Sequence, residues 1–304
     1  PAYSLPQALS FRDALALGAK KAPTAVALSL DDTAVLQYTG GTTGVSKGAQ
    51  LLQKNLVSNM MQVRELIVNI LDTDTEVVIA PLPLYHIYAF TVSLVMSDMG
   101  HELVLIPNPR DIPGFVKELS RHKFTSFIGL NTLFVALCNN KDFTELDFSH
   151  LKHTLSGGMA LTEAAAATWK KVTACEVQEA YGLTETSPAV SFNPYHDIRL
   201  GTIGKALPGT QVKVIGADGS DLGFNQEGEL CVKGPQVMAG YWQLPEATAA
   251  VLGADGWLKT GDVAILAEDG FIRLVDRIKD MINVSGFNVY PNEIDDIASQ
   301  HPGI

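Results

Sequence analysis

The sequence predicts an α/β protein: a mostly parallel sheet with helices on both faces, plus a small β-barrel-like subdomain and the start of a C-terminal α+β domain. Two observations carry this. From Val77 to Glu179, short apolar runs of strand length alternate with longer segments of helical period, the pattern of strands joined by crossover helices. Beyond about Pro194 the texture changes to short strands separated by Ala-Asp-Gly and Glu-Asp-Gly turns, as in a small antiparallel module.

Residues 1–33 hold one amphipathic segment, Phe11 to Lys20, and otherwise read as a connector from a missing N-terminal segment. Val35 to Tyr38 read as a short buried strand, followed by a glycine-threonine loop, and Ala49 opens a helical pattern. Leu52, Leu56, Met60, Val63 and Ile67 recur at helical spacing and are expected in the core. The alternation then begins. Strands are expected at Val77–Ala80, Leu103–Ile106, Thr125–Leu130, Lys152–Leu155 and Glu176–Glu179. Helices are expected at Phe90–Met96, Pro113–Lys123, Thr132–Asn139 and Thr162–Val172. Further strands follow at Gln211–Ile215, Gly228–Lys233, Val263–Ala267 and Phe271–Val275, and an acidic helix starts at Pro291. These readings divide the chain into the connector (1–33), an α/β core (34–199), a small β subdomain (200–275), and a hinge with the start of a truncated C-terminal domain (276–304).

With 304 residues, 46% hydrophobic and 18% charged, the chain can bury one large core or two smaller ones. A formal net charge of -11 lacks the footprint of a nucleic-acid binder, so an anionic ligand must be held by local groups. Cys138, Cys175 and Cys231 are scattered without metal spacing, which fits reduced thiols in the cytoplasm. The most apolar helix candidate, Ile87 to Met96, is too short to span a bilayer. Peripheral contact with the inner face of the membrane stays open. A sheet lacking its neighbours would also leave an exposed edge, a route to homo-oligomers.

The loop after Tyr38 contains four glycines, three threonines, one serine and Lys47. Such a composition suits a phosphate, because glycines let backbone N–H groups approach an anion, hydroxyls add neutral donors, and the lysine adds one compact charge. A plain glycine-rich turn is the alternative. The loop is not a Walker A site, since Ser46 precedes Lys47 and Gly48 follows it. Nor does any Gly-x-Gly-x-x-Gly fingerprint follow a strand. Three other unusual loops sit at expected strand ends, where open α/β sheets bind ligands: Pro81–Tyr88, Ser156–Met159 and Tyr181–Thr186. In the last, an aromatic, a hydroxyl and a carboxylate together offer a purine platform, a phosphate donor and a hard oxygen ligand. An ordinary turn capped by threonine is the bland reading.

Tyr38 to Gly48 resembles, nearly letter for letter, the phosphate loop of the adenylate-forming enzymes, with Ser46 where that family usually has proline. Tyr181-Gly-Leu-Thr-Glu-Thr186 is a second match. The resemblance implies ATP or AMP binding by Thr39, Gly40, Gly41, Thr42, Thr43, Gly44, Lys47, Gly157, Gly158, Ala180, Tyr181, Gly182, Thr184, Asp262 and Arg277. It implies catalytic roles for Lys47, Thr184 and Glu185, with Glu185 as the magnesium ligand. Tyr181 would stack on adenine and Asp262 would hold the ribose hydroxyls. His86, Met159 and Gly286 would border the substrate and coenzyme A channel, and Lys279 would be the hinge. Asn108–Lys117, Cys231–Tyr241 and Val284–Glu293 further resemble bacterial long-chain fatty acid-CoA ligases. The implied chemistry uses ATP and Mg2+, with fatty acid and coenzyme A as small-molecule substrates and acyl-adenylate as intermediate. Because members of that family are far longer, the 304-residue segment alone is expected to adenylate negligibly. The alternatives are another adenylate former, such as a coumarate ligase or a peptide-synthetase domain, and a non-catalytic nucleotide-binding or scaffold module.

Overall fold

The structure, a computed structural model, describes residues 6–39, 46–68, 70–71, 76–284 and 287–299. Helix α1 (Phe11–Gly18) is capped by Ser10, whose hydroxyl accepts from the Asp13 N–H, and buries no residue. Strands β1 (Thr33–Thr39) and β2 (Lys47–Leu52) form an antiparallel hairpin flanking the glycine-threonine loop. This corrects two expectations. The helix expected from Ala49 starts instead at Gln53, as α2 (Gln53–Ile67). Ala49 and Leu51 are both fully buried on β2 while Gln50 between them is not, a period of two that a short stretch hides from a helical template. The strand expected to be buried at Val35–Tyr38 is the edge of a three-stranded sheet, and Tyr38 is 60% exposed.

The central sheet takes its strands from β3 (Val77–Ala80), β4 (Glu102–Leu105), β5 (Ser126–Gly129), β6 (His153–Ser156) and β7 (Val177–Gly182). Its crossovers are α3 (Ile87–Asp98), α4 (Ile112–Leu119), α5 (Asn131–Cys138) with the short α6 (Lys141–Thr144), and α7 (Glu163–Thr173). The order is β4-β3-β5-β6-β7, all parallel, extended by antiparallel β8 (Ala189–Phe192) and β9 (Lys205–Ala206).

Alternation along the strands feeds two cores. Ile79 and Phe127 point to one face and pack with Phe115, Phe134, Leu137 and Trp169 of α4, α5 and α7. Val78, Ile128 and Leu155 point to the other and pack with Ile67 of α2 and Val92, Val95 and Met96 of α3. Helix α3 carries buried residues around most of its circumference, as a helix between layers must.

The small β subdomain is a four-stranded antiparallel sheet, open in the order β10 (Gln211–Ile215), β11 (Glu227–Lys233), β13 (Leu258–Leu266), β14 (Ile272–Arg277). Between β11 and β13 lie β12 (Gly240–Tyr241) and α8 (Pro245–Val251). Strand β12 leaves its own sheet and pairs with β2, Gly240 opposite Gln50 and Tyr241 opposite Ala49. Ala49 and Leu51 accordingly share a core with Val214, Leu230, Leu258 and Ile272. The chain ends in a hairpin, β15 (Ile282–Val284) and β16 (Phe287–Val289), then α9 (Pro291–Ser299). Among the described residues no helix is long and apolar enough to cross a membrane.

Helix α2 buries more than its apolar stripe. Asn55, Asn59 and Gln62 are also buried, one below another at helical spacing. Asn55 donates to the Pro235 and Val237 carbonyls, Asn59 donates to the Ala189 carbonyl and accepts from its N–H, and Gln62 donates to the Pro208 carbonyl. This amide ladder holds the segments that lead into and out of the functional cleft.

Candidate active site

Three loops meet at the carboxyl ends of β3, β6 and β7. The Tyr88 phenol donates to the Leu155 carbonyl at 3.3 Å. Gly157 sits between the Tyr88 ring and the Ala180 carbonyl, so that a Cβ there would lie 3.3 Å from the one and 3.5 Å from the other. Gly158 has φ +85°, a conformation that side chains disfavour. Met159 beside it is exposed. His86 also lies on this rim, where its Nδ1 accepts from the Tyr88 N–H at 3.2 Å and caps α3. Partial desolvation lowers its pKa, which favours the neutral ring that this cap requires.

Beyond Gly182 the chain makes a single 3₁₀ turn, Thr184–Thr186. Gly182 is required there, because any Cβ would lie 2.0 Å from the Pro188 carbonyl oxygen. The turn is fixed from below. Ser187 Oγ donates to the Gln236 carbonyl at 2.9 Å, Thr91 Oγ1 donates to the Ser187 carbonyl at 3.0 Å, and the Met238 N–H donates to the Glu185 carbonyl at 2.8 Å. Thr184 and Glu185 are left half-buried at the surface of the cleft.

Across the cleft, the Tyr241 phenol donates to Glu185 Oε1 at 2.7 Å, and its ring lies 5.0 Å from Lys47 Nζ. Thr39 Oγ1 donates to the Lys47 carbonyl at 3.4 Å, closing the base of the β1–β2 hairpin. A cavity of about 310 Å3 opens beside the turn, lined among others by Leu183, Glu185, Glu229, Tyr241, Lys259 and Thr260.

Asp262 on β13 and Arg277 on β14 are register partners. Arg277 Nε lies 3.1 Å from Asp262 Oδ1, and the Tyr181 phenol donates to Oδ2 at 2.5 Å. Asp262 is only 4% exposed. Desolvation raises its pKa; the Tyr181 hydrogen bond and the Arg277 guanidinium oppose that, and the nearby Glu185 carboxylate adds to it. Burial pushes the Tyr181 phenol well above its ordinary value, so it stays a donor.

The structure therefore brings Thr39, Lys47, Tyr181, Thr184, Glu185, Asp262 and Arg277 into one neighbourhood, with Gly157, Gly158, Ala180 and Gly182 on the adjoining rim. Lys279 lies in an exposed turn just past β14, two residues beyond Arg277. Gly40, Gly41, Thr42, Thr43, Gly44 and Gly286 lie outside the described residues. Sequence reasoning missed Tyr241 and the buried amides of α2. A tyrosine in Gly-Tyr-Trp carries no charge signal, whereas Asn55, Asn59 and Gln62 at i, i+4 and i+7 form a readable polar stripe.

The sequence and the fold are similar to those of known proteins. The family described as AMP-binding enzyme matches residues 4–242. A long-chain-fatty-acid–CoA ligase from Escherichia coli is 51% identical over 306 residues, covering 100% of this chain and 54% of its own length. One from Bacillus subtilis is 38% identical over 276 residues, covering 90% of this chain and 49% of its own. The chain thus spans about half the length of the curated relatives it matches. Among solved structures, ATP-bound MatB from Rhodopseudomonas palustris superposes with a TM-score of 0.83 at 32% identity, over 92% of this chain and 55% of that one. O-succinylbenzoate coenzyme A synthetase (MenE) from Bacillus subtilis, in complex with ATP and magnesium, gives 0.80 at 28% identity, over 91% of this chain and 57% of that one. With its family match spanning both the glycine-threonine loop and the Tyr181–Thr186 turn, the chain belongs to the AMP-binding enzyme family.

Proposed function

We propose that this chain is the nucleotide-binding part of an ATP-dependent long-chain fatty acid-CoA ligase. The observation that carries the reading is the junction of Lys47 and Glu185 through Tyr241, a few residues from the Tyr181–Asp262 pair. A cation, a carboxylate, a hydroxyl and an aromatic with a buried acid are the groups that a nucleoside triphosphate needs. The identity to long-chain-fatty-acid–CoA ligases supports the substrate class.

In this reading Tyr181 faces the adenine, and Asp262 accepts from the ribose hydroxyls, since a carboxylate takes two donors at once. Thr184 and Lys47 meet charge that builds on the α-phosphate when the fatty carboxylate attacks it. Two anions a few ångströms apart repel by several kcal/mol unless such groups stand between them. Coenzyme A thiol then displaces AMP in a second step, with Lys279 at the hinge.

Magnesium fits the residues present. Glu185 is a hard oxygen donor held through Oε1, and Oε2 takes no donor among the described residues, as suits a cation that binds few carboxylates and keeps phosphate and water ligands. When bound it would neutralise phosphate charge, and Glu185 would hold it.

The test is ATP–pyrophosphate exchange in the complete protein with palmitate, cinnamates and amino acids offered separately. Palmitate should drive exchange, and Glu185→Gln should cut it by about 100-fold. Exchange driven by cinnamates or amino acids and not by palmitate would assign the chain to another adenylate former. Undiminished exchange in Glu185→Gln would remove the metal-binding role.

A further inference from the structure

We infer that Tyr241 is a positioning residue that sets the Glu185 carboxylate beside Lys47. This rests on the nucleotide-binding reading and deepens it. One side chain serves both charges: its hydroxyl holds Glu185 Oε1 at 2.7 Å, and its ring faces Lys47 Nζ at 5.0 Å. The aromatic face attracts the ammonium without neutralising it. Among the described residues Lys47 takes part in no ion pair. A direct Lys47–Glu185 pair would cancel, inside the cleft, the two fields that a magnesium-nucleotide must meet; the intervening ring keeps them close and unquenched.

The tyrosine is itself well anchored. Its N–H donates to Thr248 Oγ1 at 2.8 Å, its Cα is paired with Ala49, and the following Trp242 N–H donates to the Gly48 carbonyl at 2.8 Å. The phenol oxygen is thereby indexed to β2, the strand that begins at Lys47. A residue that orients a metal-binding carboxylate in this way governs metal affinity without touching the metal.

Calorimetric titration of the complete protein with MgATP, and with ATP in EDTA, tests the assignment. Tyr241→Phe keeps the ring over Lys47 and loses only the hydroxyl. It should weaken MgATP about 10-fold and leave metal-free ATP unchanged. Tyr241→Leu loses the ring as well and should weaken both. Electron paramagnetic resonance of Mn2+ in the ATP complex gives the same comparison without turnover, and the Phe variant should show the weaker manganese binding. Tyr241→Phe binding MgATP and Mn2+ as tightly as wild type overturns the role of Tyr241. Glu185→Gln in the same titration separates the two levels. If it weakens MgATP while Tyr241→Phe does not, Tyr241 alone is misassigned; if it too binds normally, the reading of Glu185 fails first.

Discussion

The Tyr181 phenol and the Asp262 carboxylate are joined at 2.5 Å, one carried by the last parallel strand of the central sheet and the other by the β subdomain. The bond closes the cleft from two independent sheets. It also opposes, together with Arg277, the desolvation that raises the pKa of this nearly buried carboxyl.

Tyr181→Phe should therefore destabilise the fold by about 1–3 kcal/mol at neutral pH. The sign of its pH dependence follows from Asp262. Its folded pKa is raised, so the carboxyl contributes most below its unfolded pKa, and that contribution is lost as pH rises through the folded value. Removing the hydrogen bond raises the folded pKa further. The gap in melting temperature between variant and wild type should be wider at pH 7 than at pH 4. An equal gap at both, or a wider one in acid, would contradict this account.

His153 gives a dependence of the opposite sense. It is 2% exposed at the start of β6, and desolvation pushes its pKa down to about 4, with Gln178 opposing. A histidine whose folded pKa lies below the ordinary 6.5 contributes fully above that value, and the contribution drains away as pH falls towards 4. The loss amounts to about 3 kcal/mol across that window. His153→Phe, beside Phe192 at 6.4 Å between ring centroids, should flatten the slope of unfolding free energy between pH 6.5 and pH 4. Denaturant titrations at several pH values measure it directly.

The amide ladder of α2 predicts an apolar substitution that harms the core. Asn59→Leu keeps the branching and heavy-atom count of the side chain but strands the Ala189 N–H and C=O in the interior. Each stranded group costs about 1–3 kcal/mol, so the urea midpoint should fall well below that of Met61→Leu on the exposed side of the same helix. Equal midpoints would mean that Ala189 finds another partner.

Much of the fold was legible because it is written in period. Val77–Ala80 and Gln211–Ile215 form as the apolar runs predict, and the parallel order of β3 to β7 follows from alternation with helices. What was not legible depends on partners distant in sequence. Strand β12 is two residues long and exists only because β2 lies beside it. Strand β8 likewise owes its pairing to the edge of β7, and β9 in turn pairs with β8. The start of α2 was misplaced because Ala49 and Leu51 satisfy a helical and an extended pattern equally well over so short a span. At the cleft, charged residues announced themselves through loop chemistry. Tyr241 did not, since its use comes from the ring and hydroxyl being presented to two groups that the sequence places far from it.

The ladder between β2 and β12 bears on any attempt to exchange parts with a homologue. A cassette of residues 33–52 alone would arrive without Gly240 and Tyr241, the strand against which Gln50 and Ala49 register. The smallest transplantable unit runs in two pieces, and recombination that cuts between them would yield chimaeras whose β2 is paired with a foreign strand.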